Sequence, residues 1–170
     1  GNERRDQVDI WGGLPYHASE LADSWLTVVA INDTNTEAYY TNRCGVAQAF
    51  CVTAPGSSVN AAMANTSNRH ITYSGTSMAA PHVSGIAAVL MQKFPSLSAS
   101  AITARIKRTA SVASLKGKNG ETVETHGMQV MRAIFGHGLI NQTKASAQIG
   151  ALTIATGENF FDEGSGIDIT

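Results

Sequence analysis

One stretch of the chain gathers residues able to do chemistry together: Ser74-Gly75-Thr76-Ser77-Met78-Ala79-Ala80-Pro81-His82-Val83-Ser84-Gly85. A glycine precedes two hydroxyl residues, and an apolar run follows them at once. That run continues through Ile86, Val89 and Leu90 and meets Pro95, so it predicts a helix over residues 77–94. A helix N-terminus presents unpaired N–H groups and a partial positive charge. A serine there carries its own N–H beside its hydroxyl, an arrangement that suits a nucleophile whose attack generates an oxyanion. The same residues suit a plainer role, because most Ser and Thr at helix starts are caps. The local sequence leaves both readings of Ser77 standing.

Nine consecutive positions, Gly75-Thr76-Ser77-Met78-Ala79-Ala80-Pro81-His82-Val83, resemble the nucleophile signature of the subtilisin-like (subtilase) family. Further stretches resemble that family in its own order. Gly1-Asn2-Glu3 is similar to the segment bearing the oxyanion-hole asparagine. Residues 25–31 resemble a buried strand after the substrate pocket, and Ala54-Pro55-Gly56 resembles the family's turn. Residues 136–141 are similar to its closing Gly-x-Gly-hydrophobic-x-Asn element.

The resemblance covers about residues 1–148 and implies a serine endopeptidase acting on protein or peptide segments through an acyl-enzyme on Ser77. The Asn2 carboxamide and the Ser77 N–H would hold the tetrahedral oxyanion. Gly1, Glu3 and Thr76 would contribute to substrate binding. The implied fold is α/β, a three-layer parallel sheet with helices on both faces, incomplete without an N-terminal portion. Residues 1–150 are then expected to be the C-terminal half of the catalytic domain, and 151–170 an extension or connector.

In that family the catalytic Asp and His precede the asparagine, which is residue 2 here. An N-terminal fragment of the same protease is therefore the expected partner, and this chain alone is expected to be inactive. No local residue fits the missing roles. His82 lies five positions past Ser77, about 140° around a helix, and reads as a packing residue. His126-Gly127 lacks the rest of the family's His motif, His137 sits in the Gly-x-Gly turn, and His17 and His70 fall in expected loops. Asp23-Ser24 lacks the glycine expected of the aspartate segment. The alternative is a non-catalytic subtilase-like binding or maturation module, or an inert fragment. Retention of serine at position 77 argues against degeneration.

The elements that must position these residues read as follows. Residues 1–24 read as loop, with a turn signal at Gly12-Gly13-Leu14-Pro15. Residues 25–31 and 50–54 are short apolar, β-branched runs, the pattern of strands buried on both faces. The helix after Ser77 is apolar on nearly every face, which predicts burial all round. Ser98 reads as the cap of a second helix to about Ala110, with Ile102 and Ile106 inward and Arg105, Lys107 and Arg108 on its wet side. Residues 111–135 read as an excursion from the core with a hairpin turn at Lys118-Asn119-Gly120. A short helix is expected over 142–148, and a strand-like Leu152-Thr153-Ile154 after it.

Cys44 and Cys51 lie seven positions apart. Two cysteines without further ligands make a poor metal site. A disulfide is the better reading, with two free thiols as the alternative. Charged residues are only 15% of the chain, below the roughly 25% of soluble domains, a composition that leans extracellular. The net charge of −1 supplies no basic face for nucleic acid. Asn42-Arg43-Cys44-Gly45 followed by Cys51 is similar to the subtilase passengers of bacterial autotransporters, implying a secreted or bacterial cell-surface enzyme. On that resemblance the tail would lead to a membrane-anchoring region. Calcium is common in the family, but its usual ligand segments lie largely upstream. No cofactor or metal site is expected here, and Asp162, Glu163 and Asp168 read as a solvated acidic tail.

Overall fold

The computed structural model describes residues 1–64 and 68–147, together with the backbone of three short strands beyond them. In chain order the elements are α1 (Leu14–His17), a 3₁₀ stretch (Ser19–Ser24), β1 (Thr27–Ile31), a second 3₁₀ stretch (Gly45–Phe50) and β2 (Cys51–Pro55). They continue with β3 (Val59–Ala62), β4 (His70–Tyr73), α2 (Thr76–Lys93), α3 (Ala99–Thr109), α4 (Val123–Phe135) and α5 (Gln142–Ser146). Last come β5 (Gly150–Ala151), β6 (Phe160–Asp162) and β7 (Ile167–Ile169).

β1 and β2 pair in parallel, Thr27 opposite Cys51 through to Ile31 opposite Pro55. Side chains of a strand alternate between faces, and here the alternation sorts the core into two clusters. Ala30, Val52 and Ala54 pack with Ala79, Val83, Ile86 and Leu90 of α2 and Ile102 and Ile106 of α3. Val29, Ile31 and Cys51 pack on the opposite face with Phe50, Met131, Ile134 and Phe135. The expected layering of helices on both faces of a parallel sheet is therefore present. Residues 136–141 extend it, since the Thr53 N–H donates to Gly138 O at 2.8 Å and the Ile140 N–H to Thr53 O at 3.0 Å.

Several expectations need correction. α2 is not buried all round: only the stripe Ala79, Val83, Ile86 and Leu90 is buried, while Ala80, Ser84, Gly85 and Ala88 are exposed. The sheet and α3 take one face of the helix, and among the described residues nothing covers the other. Residues 111–135 are no excursion. The turn at residues 117–121 forms, but it leads into α4, capped by the reciprocal Thr122–Thr125 box, which buries Met131, Ile134 and Phe135 in the second cluster. Residues 1–24 contain two short helical turns. The hairpin of β3 and β4, antiparallel with Val59 opposite Tyr73, is a further element.

Arg105 is not simply on a wet face. Its guanidinium donates to the carbonyls of Ala145 and Ala147 and stacks 4.2 Å over the Phe94 ring, holding α5 against α3. Ser98 caps α3 as expected, accepting the Ala101 N–H at 3.2 Å. Cys44 and Cys51 form a disulfide. Residues 152–154 and Glu163 lie outside the described residues; Asp162 and Asp168 fall in β6 and β7.

Candidate active site

The start of α2 is fastened from two directions. The Gly75 N–H donates to Gly56 O at 2.9 Å, tying the helix to the end of β2. Gly75 is the N-cap, yet no side chain of the helix's own sequence caps it. The first turn is closed instead by Asn2, 74 positions earlier. Its Oδ1 accepts the Thr76 N–H at 3.0 Å and the Thr76 hydroxyl at 3.1 Å. An N–H can only donate, so the atom facing Thr76 must be the amide oxygen, and the orientation of the carboxamide follows. Neither Thr76 nor Ser77 is a side-chain cap, which disposes of the plainer reading of this motif.

Ser77 is the second residue of α2 and is exposed. Together with Thr76 and Gly1 it lines a cavity of about 360 Å³, whose other walls include Asp9, Trp25 and Val28. A side chain at position 1 would collide with the Thr76 hydroxyl, so the close approach of this loop to the helix requires glycine. With its oxygen held by Thr76, the Asn2 amide places Nδ2 close to Gly75, the N-cap of α2.

Glu3 is turned elsewhere. Its carboxylate accepts from Asn42 Nδ2 at 2.7 Å. The Asp9 carboxyl is held below its ordinary range, chiefly by the Gly12 N–H that its Oδ1 accepts at 2.8 Å. It therefore puts an ionised oxygen on the cavity wall.

The histidines sit apart from this cleft. Nδ1 of His82 bonds to Met78 O at 3.0 Å and the residue is exposed, so it is not the packing residue expected. His126 bonds to Thr125 Oγ1, and His137 to Ala49 O. His17 and His70 lie in α1 and β4.

Sequence reasoning overlooked Asp9 and Asn42. The Asp9-x-x-Gly12 spacing is a turn signal that was there to be read. Asn42 carried none, because its partners lie 37 and 39 positions away.

Comparisons with known proteins identify the family and the fold. The family described as the subtilase family matches residues 1–138. An extracellular serine protease of Serratia marcescens is 38% identical over 124 residues, covering 61% of this chain and 12% of its own length. Serotype-specific antigen 1 of Mannheimia haemolytica is 29% identical over 150 residues, covering 85% of this chain and 15% of the antigen. The chain thus spans a small part of these curated relatives. Among solved structures, the self-cleaved protease domain of PatA superposes with a TM-score of 0.62 at 21% identity, over 86% of this chain and 46% of that one. At that identity the likeness speaks for the fold alone: an incomplete subtilisin-like α/β domain.

Proposed function

The chain belongs to the subtilase family, and from that premise we propose that it is the nucleophile-bearing part of a serine endopeptidase. The single observation that carries this reading is the closure of the first turn of α2 by Asn2, which puts a carboxamide beside Ser77. In the proposed reaction the Ser77 hydroxyl attacks the scissile carbonyl and its proton passes to a histidine base. The carbonyl oxygen becomes the oxyanion and accepts from Asn2 Nδ2 and the Ser77 N–H. Collapse expels the amine with that proton and leaves an acyl-enzyme, which water then hydrolyses. The histidine and its aspartate come from a segment upstream of this chain or from a separate N-terminal fragment. In their absence Ser77 has no base and the chain is inactive.

The uncovered small-residue face of α2, with Ala80, Ser84 and Ala88 exposed, supports such a partner, because small side chains let another backbone approach closely. The disulfide and the relatives named as an extracellular protease and a serotype antigen support a secreted or cell-surface setting. Residues 1–150 would form the catalytic half-domain and 151–170 a connector. No cofactor enters this proposal.

Fluorophosphonate labelling tests it. The chain alone should not label, whereas the chain joined to its Asp- and His-bearing segment should label at Ser77 and lose the label in Ser77→Ala. Failure of the joined protein to label would favour the binding-module alternative.

A further inference from the structure

Asn42 is buried, with 3% of its surface exposed, and its backbone N–H and both side-chain polar atoms are used on the loop that carries Asn2. Its backbone N–H donates to Gly1 O at 2.8 Å. Its side-chain Oδ1 accepts the N–H of Glu3 at 3.1 Å and that of Arg5 at 3.0 Å. Its Nδ2 donates to the Glu3 carboxylate at 2.7 Å. The four bonds bracket Asn2 on both sides, at positions 1, 3 and 5. Residue 4 has a left-handed φ of 62° and gives its N–H to Tyr40 O at 3.1 Å, so the loop is bent tightly around this one amide.

We infer that Asn42 is the positioning residue of the proposed oxyanion hole, fixing the loop so that the Asn2 carboxamide meets Thr76 and keeps Nδ2 directed at the reacting oxygen. The inference rests on the proposed nucleophile reading and deepens it. Asn42 borders the same cavity as Ser77, but its N–H, Oδ1 and Nδ2 are all bonded to the opening loop, so it acts through Asn2. A hole of this kind works only if its donors are already in place when charge develops. Asn42 supplies four of the bonds that hold this loop, beside the one from Arg4 to Tyr40 O, so it is the main constraint that keeps that geometry. Removing the amide also strands two loop N–H groups, so the loop relaxes toward water.

The test is a double-mutant cycle in the assembled protease, with the segment supplying aspartate and histidine present. Asn42→Ala should lower kcat at least tenfold with KM changed by less than about twofold, bounded by the roughly 10²–10³-fold cost of losing the donor itself. In the Asn2→Ala background the same substitution should change kcat by less than about twofold, because the group it positions is gone. Asn42→Asp keeps both acceptor bonds but sets a buried carboxylate against that of Glu3, 2.7 Å away in the native pair; combined with Glu3→Gln, whose amide restores the donor, it should recover most of the loss. The same cycle on Asn42→Ser covers the case in which alanine does not fold. Equal losses in both backgrounds, or an Asn42→Asp/Glu3→Gln pair no better than alanine, overturn the assignment while leaving Ser77 untouched. A wild-type protein that does not react at Ser77 overturns the premise instead.

Discussion

At the scale of single residues, the Asn2 carboxamide divides its two ends between structure and chemistry. Its oxygen closes the first turn of α2, and in the proposed reaction its nitrogen donates to the substrate oxygen. Two substitutions separate these roles. Asn2→Ala removes both and should reduce kcat about 10²–10³-fold, the loss measured for the corresponding donor in subtilisin and taken over here. Thr76→Val keeps the N–H bond to Asn2 but deletes the hydroxyl. It should cost about 0.5–1.5 kcal/mol of transition-state stabilisation, roughly two- to tenfold in kcat, with little change in KM. Steady-state kinetics on a peptide substrate read both. A Thr76→Val enzyme as impaired as Asn2→Ala would mean the hydroxyl itself acts on the substrate.

At the scale of elements, residues 136–141 show how little slack the packing leaves. Gly136 ends α4 with a φ of 63°, and any Cβ there would run into the Cys51 carbonyl of β2. Gly136→Ala meets both a left-handed backbone and a neighbouring strand that cannot move. It should destabilise by more than about 1 kcal/mol, read as a lower denaturation midpoint. Replacing both cysteines by serine frees the short loop between them and should cost about 2–3 kcal/mol. Reducing agent should then have no further effect on the double variant.

Elements whose pattern is local were legible in the sequence. β1 and β2 announced themselves by β-branched runs, and α3 by Ser98 and its Ile102/Ile106 stripe. α4 was misjudged because Gly120 and Gly127 break its neighbourhood, while the anchoring residues Met131, Ile134 and Phe135 only make sense once the second face of the sheet exists. α2 was misjudged for the opposite reason. Its composition suits burial on every side, but composition does not say which layers are present to bury it. Within the proposed site, Ser77 and Asn2 are expected from a motif and its order. Asn42 is not, since nothing near residue 42 hints at a loop some forty positions earlier.

At the scale of the whole molecule, three distant segments meet at Arg43. Its guanidinium makes a two-pronged contact with the fully enclosed Glu37 carboxylate, both bonds 2.8 Å, and a third bond of 3.0 Å to Glu121. Burial by itself would raise the Glu121 carboxyl. Its own N–H, that of Asn119 and the Arg43 guanidinium outweigh burial and hold it down to about 2. A carboxylate lowered on folding stabilises the fold above its unfolded value of 4.5 and loses that contribution as pH falls from there toward 2. Acid titration of the assembled protein should therefore show stability declining across that interval. Glu121→Gln should flatten the slope, and an unchanged slope would remove Glu121 from the account. Arg43→Ala strips Glu121 of its arginine and leaves the enclosed Glu37 to the Lys118 ammonium at 4.0 Å, and should cost about 3–5 kcal/mol.

The borrowed lid on α2 has one last implication, for the order of events during maturation. A helix whose first turn is finished by an amide 74 positions earlier acquires that end only after tertiary docking. On the proposed reading, copies that have secondary structure but no docked opening loop are blunt toward one another, so crowding before docking poses them little danger of mutual destruction.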